Sequence, residues 1–212
     1  MFFEVTFFIS AIWISGLLGK NPQAANQIAL NLTSMTYMVG LGLGVTAMIR
    51  VGNEKGRRDF IALRRIAISN FLLIILLSSF FALFFITTHD FIPWLYLNGN
   101  SPEISSDVFE VVDIASNLIL IAAFFQIADG LQAVVLGALR GIQDIIIPAL
   151  LIFFSYGIIG FPISFYLGLK TDWYTSGIWI GLLAGLLLSA ILLVLRFQYI
   201  SQKLVTSIET KL

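Results

Sequence analysis

The chain has 212 residues, 58% hydrophobic and 11% charged, with zero formal net charge and a mean hydropathy of +0.96. Soluble domains carry about 25% charged residues, so this is an integral membrane protein, with too many apolar segments for a signal peptide plus one anchor. The absence of cysteine excludes a disulfide framework and a thiolate metal site, and the basic residues cluster in loops, which reports topology and not a nucleic-acid footprint.

Six stretches are long enough to cross a bilayer as helices, each near the roughly 20 apolar residues required. They lie near 2–19, 27–49, 66–88, 112–139, 145–169 and 174–195. The runs are continuous, where β-barrel strands would alternate. The expected fold is therefore an all-α integral membrane protein, a single six-helix transmembrane bundle over residues 1–212.

Span one places Glu4 in Phe2-Phe3-Glu4-Val5-Thr6-Phe7-Phe8, directly at the start of the chain. A membrane carboxylate so near a frayed end suggests the second part of a longer protein, or a truncated gene product. Span two carries a polar stripe. Gln27, Asn31, Ser34 and Met38 fall at i, i+4, i+7 and i+11, within about 60° around a helix. The stripe could bond to neighbouring helices or line an aqueous cavity, and Met beside amides suits a tolerant binding surface. A loop with Arg50, Lys55, Arg57, Arg58, Arg64 and Arg65 follows. Span three is nearly all Leu, Ile and Phe and should face lipid widely.

The loop after span three has no Lys or Arg but holds Asp90, Glu103, Asp107 and Glu110, with a turn signal at Asn98-Gly99-Asn100-Ser101-Pro102. Span four carries Asp129 in Phe124-Phe125-Gln126-Ile127-Ala128-Asp129-Gly130-Leu131, with Gln126 and Gln132 three residues either side. Pro148 and Pro162 should bend or open span five. Small residues recur every four positions as Gly177, Gly181, Gly185 and Ser189 in span six and Gly160, Ser164 and Gly168 in span five. Span two has Gly40 and Gly44. Such spacing marks close helix packing in lipid.

Ten of the twelve Lys and Arg residues fall on one side of these spans; Lys20 and Lys170 fall on the other. The positive-inside rule then places both termini in the cytoplasm and the acidic loop outside. Trp94, Tyr96, Trp173 and Tyr174 sit at external span ends, as interfacial aromatics do.

Ionisable groups at bilayer depth are costly and mark ion or substrate pathways. Glu4 and Asp129 have no Lys or Arg within any span core to pair with. Each could be a neutral, hydrogen-bonded packing acid or a reversible site for H⁺ or a metal cation. His89 is the sole histidine, which leaves no convincing zinc site. The glycines lack the Gly-Lys-Ser/Thr ending of a phosphate-cradling loop, so ion gradients and not ATP are the expected energy source. No nucleophile–base pair suggests an enzyme, and no cofactor is expected.

Ala24-Ala25-Asn26-Gln27-Ile28-Ala29-Leu30-Asn31 is followed by Arg50-Val51-Gly52-Asn53-Glu54-Lys55-Gly56. Gly137-Ala138-Leu139-Arg140-Gly141, with Asp144 and Pro148, comes next, then Tyr156, Gly160-Phe161-Pro162 and Gly177-Ile178-Trp179. In this order the motifs closely resemble multidrug and toxic compound extrusion (MATE) transporters of the NorM type, and their C-terminal lobe in particular. The resemblance implies one six-helix lobe of a twelve-helix transporter, a missing N-terminal lobe as partner, and a central cavity. It implies that Glu4 and Asp129 take part in Na⁺ or H⁺ coupling and would ligate Na⁺ if that is the ion. Gln27, Asn31, Ser34, Met38, Phe125 and Gln126 are the cavity-lining candidates. Phe125 stands where NorM-type members often carry Tyr, which keeps a ring face but loses the phenol oxygen; Asn26 stands where the family often has His.

The implied activity is antiport of amphipathic, cationic drugs across a bacterial inner membrane by alternating access. Two alternatives remain: a non-transporting fragment or assembly module, and a flippase of lipid-linked precursors from the same superfamily. The flippase would call for a basic cavity, which no span supplies.

Overall fold

The computed structural model describes residues 2–97 and 106–209, with side chains over 6–97 and 106–207. Among the described residues all regular structure is helical. The helices are α1 (Phe2–Leu18), α2 (Lys20–Arg57), α3 (Phe60–Thr88), α4 (Ile92–Tyr96), α5 (Ser106–Gly141), α6 (Ile146–Phe154), α7 (Phe161–Lys170) and α8 (Tyr174–Glu209), with a π-helical turn, Ser155–Gly160, joining α6 to α7. Five helical stretches are long and apolar enough to cross a membrane: α2, α3, α5, the joined α6–α7 and α8. The shorter α1 supplies a sixth apolar helix.

The long helices overrun the apolar spans. An apolar window marks the hydrocarbon, whereas a backbone hydrogen-bond ladder continues wherever its ends can be satisfied. Residues 20–26, expected between spans, are the first turns of α2. The break from α1 is the single residue Gly19, whose φ of 127° is one that only glycine adopts readily. Pro22 lies within the first turn of α2, where its missing N–H costs nothing. The short helix α4 was not expected; Pro93 lies in its first turn, and Trp94 packs edge-on against Phe109 of α5. The turn expected at 98–102 lies outside the described residues.

Helix α5 runs through the middle, against α2, α3, α4 and α8. Its contact with α2 depends on absent side chains. A Cβ on Gly44 would lie 2.8 Å from the Ala133 carbonyl oxygen, and one on Gly40 3.2 Å from the Gly130 Cα. The small residues of the π turn and α7 meet those of α8: a Cβ on Gly185 would sit 3.0 Å from the Gly160 Cα, and Ser164 Oγ donates to the Ile178 carbonyl at 2.9 Å. Close backbone approach of this kind is what drives association in lipid, where apolar side chains gain nothing by leaving the solvent.

Pro162 does not simply kink its helix. The turn before it widens, so that the Phe161 N–H bonds the Tyr156 carbonyl five residues back, and Pro162 starts α7 within its first turn. The π turn absorbs the ring that an unbroken α-helix would force against the Ile158 carbonyl.

The two ends of the bundle differ in charge. At one, Lys55 Nζ donates to the Ile142 carbonyl at 2.6 Å and to Gln143 at 2.9 Å, a cation seated at the carbonyl end of α5. Arg196 Nε meets Asp144 at 2.8 Å nearby. At the other, Lys20 meets Asp107 at 2.6 Å and Asn21 donates to Glu110 at 2.7 Å. The outer face of α3 is exposed and apolar, with Leu72, Leu76, Phe80 and Leu83.

Candidate functional site

A cavity of about 400 Å³ opens between α1, α2, α5 and the π turn. From α1 come Phe8 and Ile12; from α2, Gln27, Leu30, Asn31, Thr33, Ser34 and Tyr37; from α5, Phe125, Asp129 and Gln132; from the π turn, Tyr156. The wall is mostly apolar and carries no basic side chain, and Asp129 is its one carboxylate among the described residues.

The polar stripe of α2 is a cavity face. Gln27 Nε2 donates to Asn31 Oδ1 at 3.4 Å, one turn apart. Ser34 Oγ donates to the Leu30 carbonyl at 2.7 Å and Thr33 Oγ1 to the Ala29 carbonyl at 3.1 Å. These hydroxyls bond back to their own helix, so the amides of Gln27 and Asn31 are the adaptable polar groups. Asp129 is 9% exposed and reaches the cavity from the middle of α5.

The rings behind the wall lock one another in place. Phe125 meets Phe8 at 5.8 Å and Trp179 at 5.4 Å, both edge-on. Trp179 Nε1 donates to the buried Asn26 Oδ1 at 2.8 Å, which ties α8 to α2. Phe7 stacks on Tyr156 at 5.8 Å. The buried ring of Trp179 and the partly buried ring of Phe8 thus fix the rotamer of Phe125, four residues from Asp129.

The cavity brings together Gln27, Asn31, Ser34, Phe125 and Asp129 from the expected set. Met38 is not among the lining residues and is 65% exposed. Its angle around α2 fits, but it stands a full turn beyond Ser34. Gln126 is buried and also outside the lining, with no partner for either amide atom among the described residues. On a helix Phe125 and Gln132 lie about 40° and 60° to one side of Asp129, and Gln126 about 60° to the other; the cavity is on the first side. The side chain of Glu4 lies outside the described residues. Among those described, no three of His, Cys, Asp and Glu converge on a metal-sized site.

The MatE family model matches residues 1–166. The chain belongs to the MatE family. It is 34% identical over 201 residues to "Probable multidrug resistance protein NorM" of Xylella fastidiosa (strain 9a5c), covering 95% of this chain and 41% of that protein. The Xanthomonas campestris protein of the same name is 37% identical over 198 residues, 93% of this chain and 41% of its own. The chain thus spans about two fifths of the length of these relatives. Its fold matches the eukaryotic MATE transporter AtDTX14 with a TM-score of 0.82 at 23% identity, over 95% of this chain and 44% of that one. A MATE family transporter in an outward-facing conformation gives 0.80 at 17% identity, over 96% and 43%.

Several lining residues of this MatE chain were not singled out as candidates. Tyr37 and Thr33 flank the stripe of α2 on one side and widen it. Tyr156 stood in the sequence as a family motif residue without a role, and the π turn brings it to the cavity. Gln132 is the flank of Asp129 that faces inward, a choice that a symmetric pair of glutamines at three residues either side does not decide.

Proposed function

We propose that this chain is one six-helix lobe of a twelve-helix cation-coupled multidrug antiporter, with Glu4 and Asp129 as its coupling acids. The observation that carries the reading is Asp129, the one described carboxylate in a cavity wall of aromatic and amide side chains whose lining holds no basic residue. Burying the charge of a carboxylate in a low-dielectric wall is costly, and a bound H⁺ or Na⁺ lowers that cost. An amphipathic organic cation can do the same, with its apolar body against Phe8, Phe125 and Tyr156 and its charge toward the acid. Cation and drug then compete for one group, which is the elementary requirement of antiport. Helices α1, α2, α5 and the π turn converge there, so occupancy of the acid can bias how they pack and which side of the membrane the cavity faces. The names of the NorM relatives support drugs as the cargo.

The test is ethidium flux by the transporter in proteoliposomes, driven by an imposed Na⁺ gradient or an imposed pH gradient. The proposal expects one of the two gradients to drive ethidium against its own. Flux that is indifferent to both, or absent with both, overturns it.

A further inference from the structure

A second cavity, of about 360 Å³, lies at the basic end of the bundle, far along α3 from its acidic-end terminus, between α3 and the last turns of α8. Ile61, Arg64, Arg65, Ile68 and Ser69 line it from α3 and Val205 from α8. We propose that this cavity holds the phosphate of an anionic phospholipid, with the acyl chains lying along the outer face of α3.

Three observations support it. First, the two guanidinium groups have no ion pair and no hydrogen bond within the described residues, although other basic side chains at this end are engaged. Arg57 meets Glu54, Arg196 meets Asp144, and Lys55 bonds the end of α5. No acid lines the cavity. Planar, always-charged guanidinium groups match phosphate oxygens in pairs.

Second, the depth is right. Residues 66–88 contain no charged side chain and span about 34 Å at 1.5 Å per residue, just over the roughly 30 Å hydrocarbon core. Arg64 and Arg65 immediately precede that run, which puts them at the level of lipid phosphates. Third, the cavity continues into an apolar track. Ile61 and Ile68 are exposed beside the arginines, and Leu72 and Leu76, on the same face one and two turns further on, are 63% and 67% exposed. A free phosphate would use the arginines alone; a lipid uses the arginines and the track. A basic pocket between membrane helices with apolar walls below it fits an anionic headgroup.

The experiment is native mass spectrometry of the purified protein in detergent, titrated with phosphatidylglycerol, with phosphatidylcholine, or with inorganic phosphate. The wild type should retain one phosphatidylglycerol more tightly than phosphatidylcholine, and phosphate should not displace it at comparable concentration. The double variant Arg64→Gln, Arg65→Gln should lose retention by roughly tenfold or more, at about 1 kcal/mol per surface arginine. Arg64→Lys, Arg65→Lys keeps the charge but not the planar fork, so it should retain more than the glutamine pair and less than the wild type, a graded result that a simple folding defect would not give. Arg58→Gln, at the same end but outside the cavity, should leave it unchanged. Equal retention by the glutamine double variant overturns the site. So does an equal loss on Arg58→Gln, which marks diffuse surface charge, or displacement by inorganic phosphate, which marks a free-anion site.

Discussion

At the scale of single residues, the cavity depends on groups that do not touch its contents. Trp179 donates to Asn26 at 2.8 Å inside the bundle and braces Phe125. Trp179→Phe removes the donor and leaves a buried amide oxygen unanswered, at a cost of about 1–3 kcal/mol. The expected result is a lower unfolding midpoint in detergent, followed by fluorescence of the remaining tryptophans, and Asn26→Ala should lower it too; an unchanged midpoint in both would show that the bond contributes nothing. The residue types were legible in the sequence: a lone acid among apolar neighbours and a stripe of amides point to a site without any coordinates. What was not legible was the sector of α5 that faces the cavity. Gln126 and Gln132 are equivalent by spacing, and only the packing of α2 and the π turn against one side of α5 separates them.

At the scale of elements, small residues set how close the helices come. Positions on one helix are not equivalent in this respect. A Cβ on Gly137 would overlap the carbonyl of Gly44, whereas one on Gly42 meets nothing within 4 Å. Gly137→Ala should therefore destabilise by about 1–3 kcal/mol through overpacking, while Gly42→Ala should be neutral or slightly stabilising because alanine is the better helix former. Thermal unfolding of the two variants side by side checks this; equal midpoints would contradict the packing described. The four-residue repeats marked close contacts on spans two, five and six but named no partner helix, and the glycines of α5 that meet α2, Gly130 and Gly137, lay outside those repeats. They could not foretell the π turn, because Pro162 announces only that a ladder bond is missing and not how the neighbouring turn rearranges. The turn matters to the site, since it carries Tyr156 to the cavity wall. Gly19 was equally silent: a glycine between apolar runs fits a long loop as well as the one-residue joint observed.

At the scale of the whole molecule, the bundle has one basic end and one acidic end, and the order of spans was readable because hydropathy records which backbone must satisfy itself away from water. The charge bias predicts that the basic end is cytoplasmic. The chain has no native cysteine, so Asn53→Cys and Asp172→Cys, exposed at opposite ends, can be probed singly in intact cells with an impermeant thiol reagent. Position 172 should label and position 53 should not; the reverse would invert the topology. The central claim concerns the acid in the wall. Asp129→Asn keeps the shape and hydrogen-bonding capacity of the side chain and removes its titratable charge. The decisive measurement is gradient-driven ethidium efflux by this variant, at matched amounts of protein in the membrane. Efflux should fall to background, with Glu4→Gln doing the same; export that keeps its normal dependence on the Na⁺ or H⁺ gradient would show that Asp129 serves only packing.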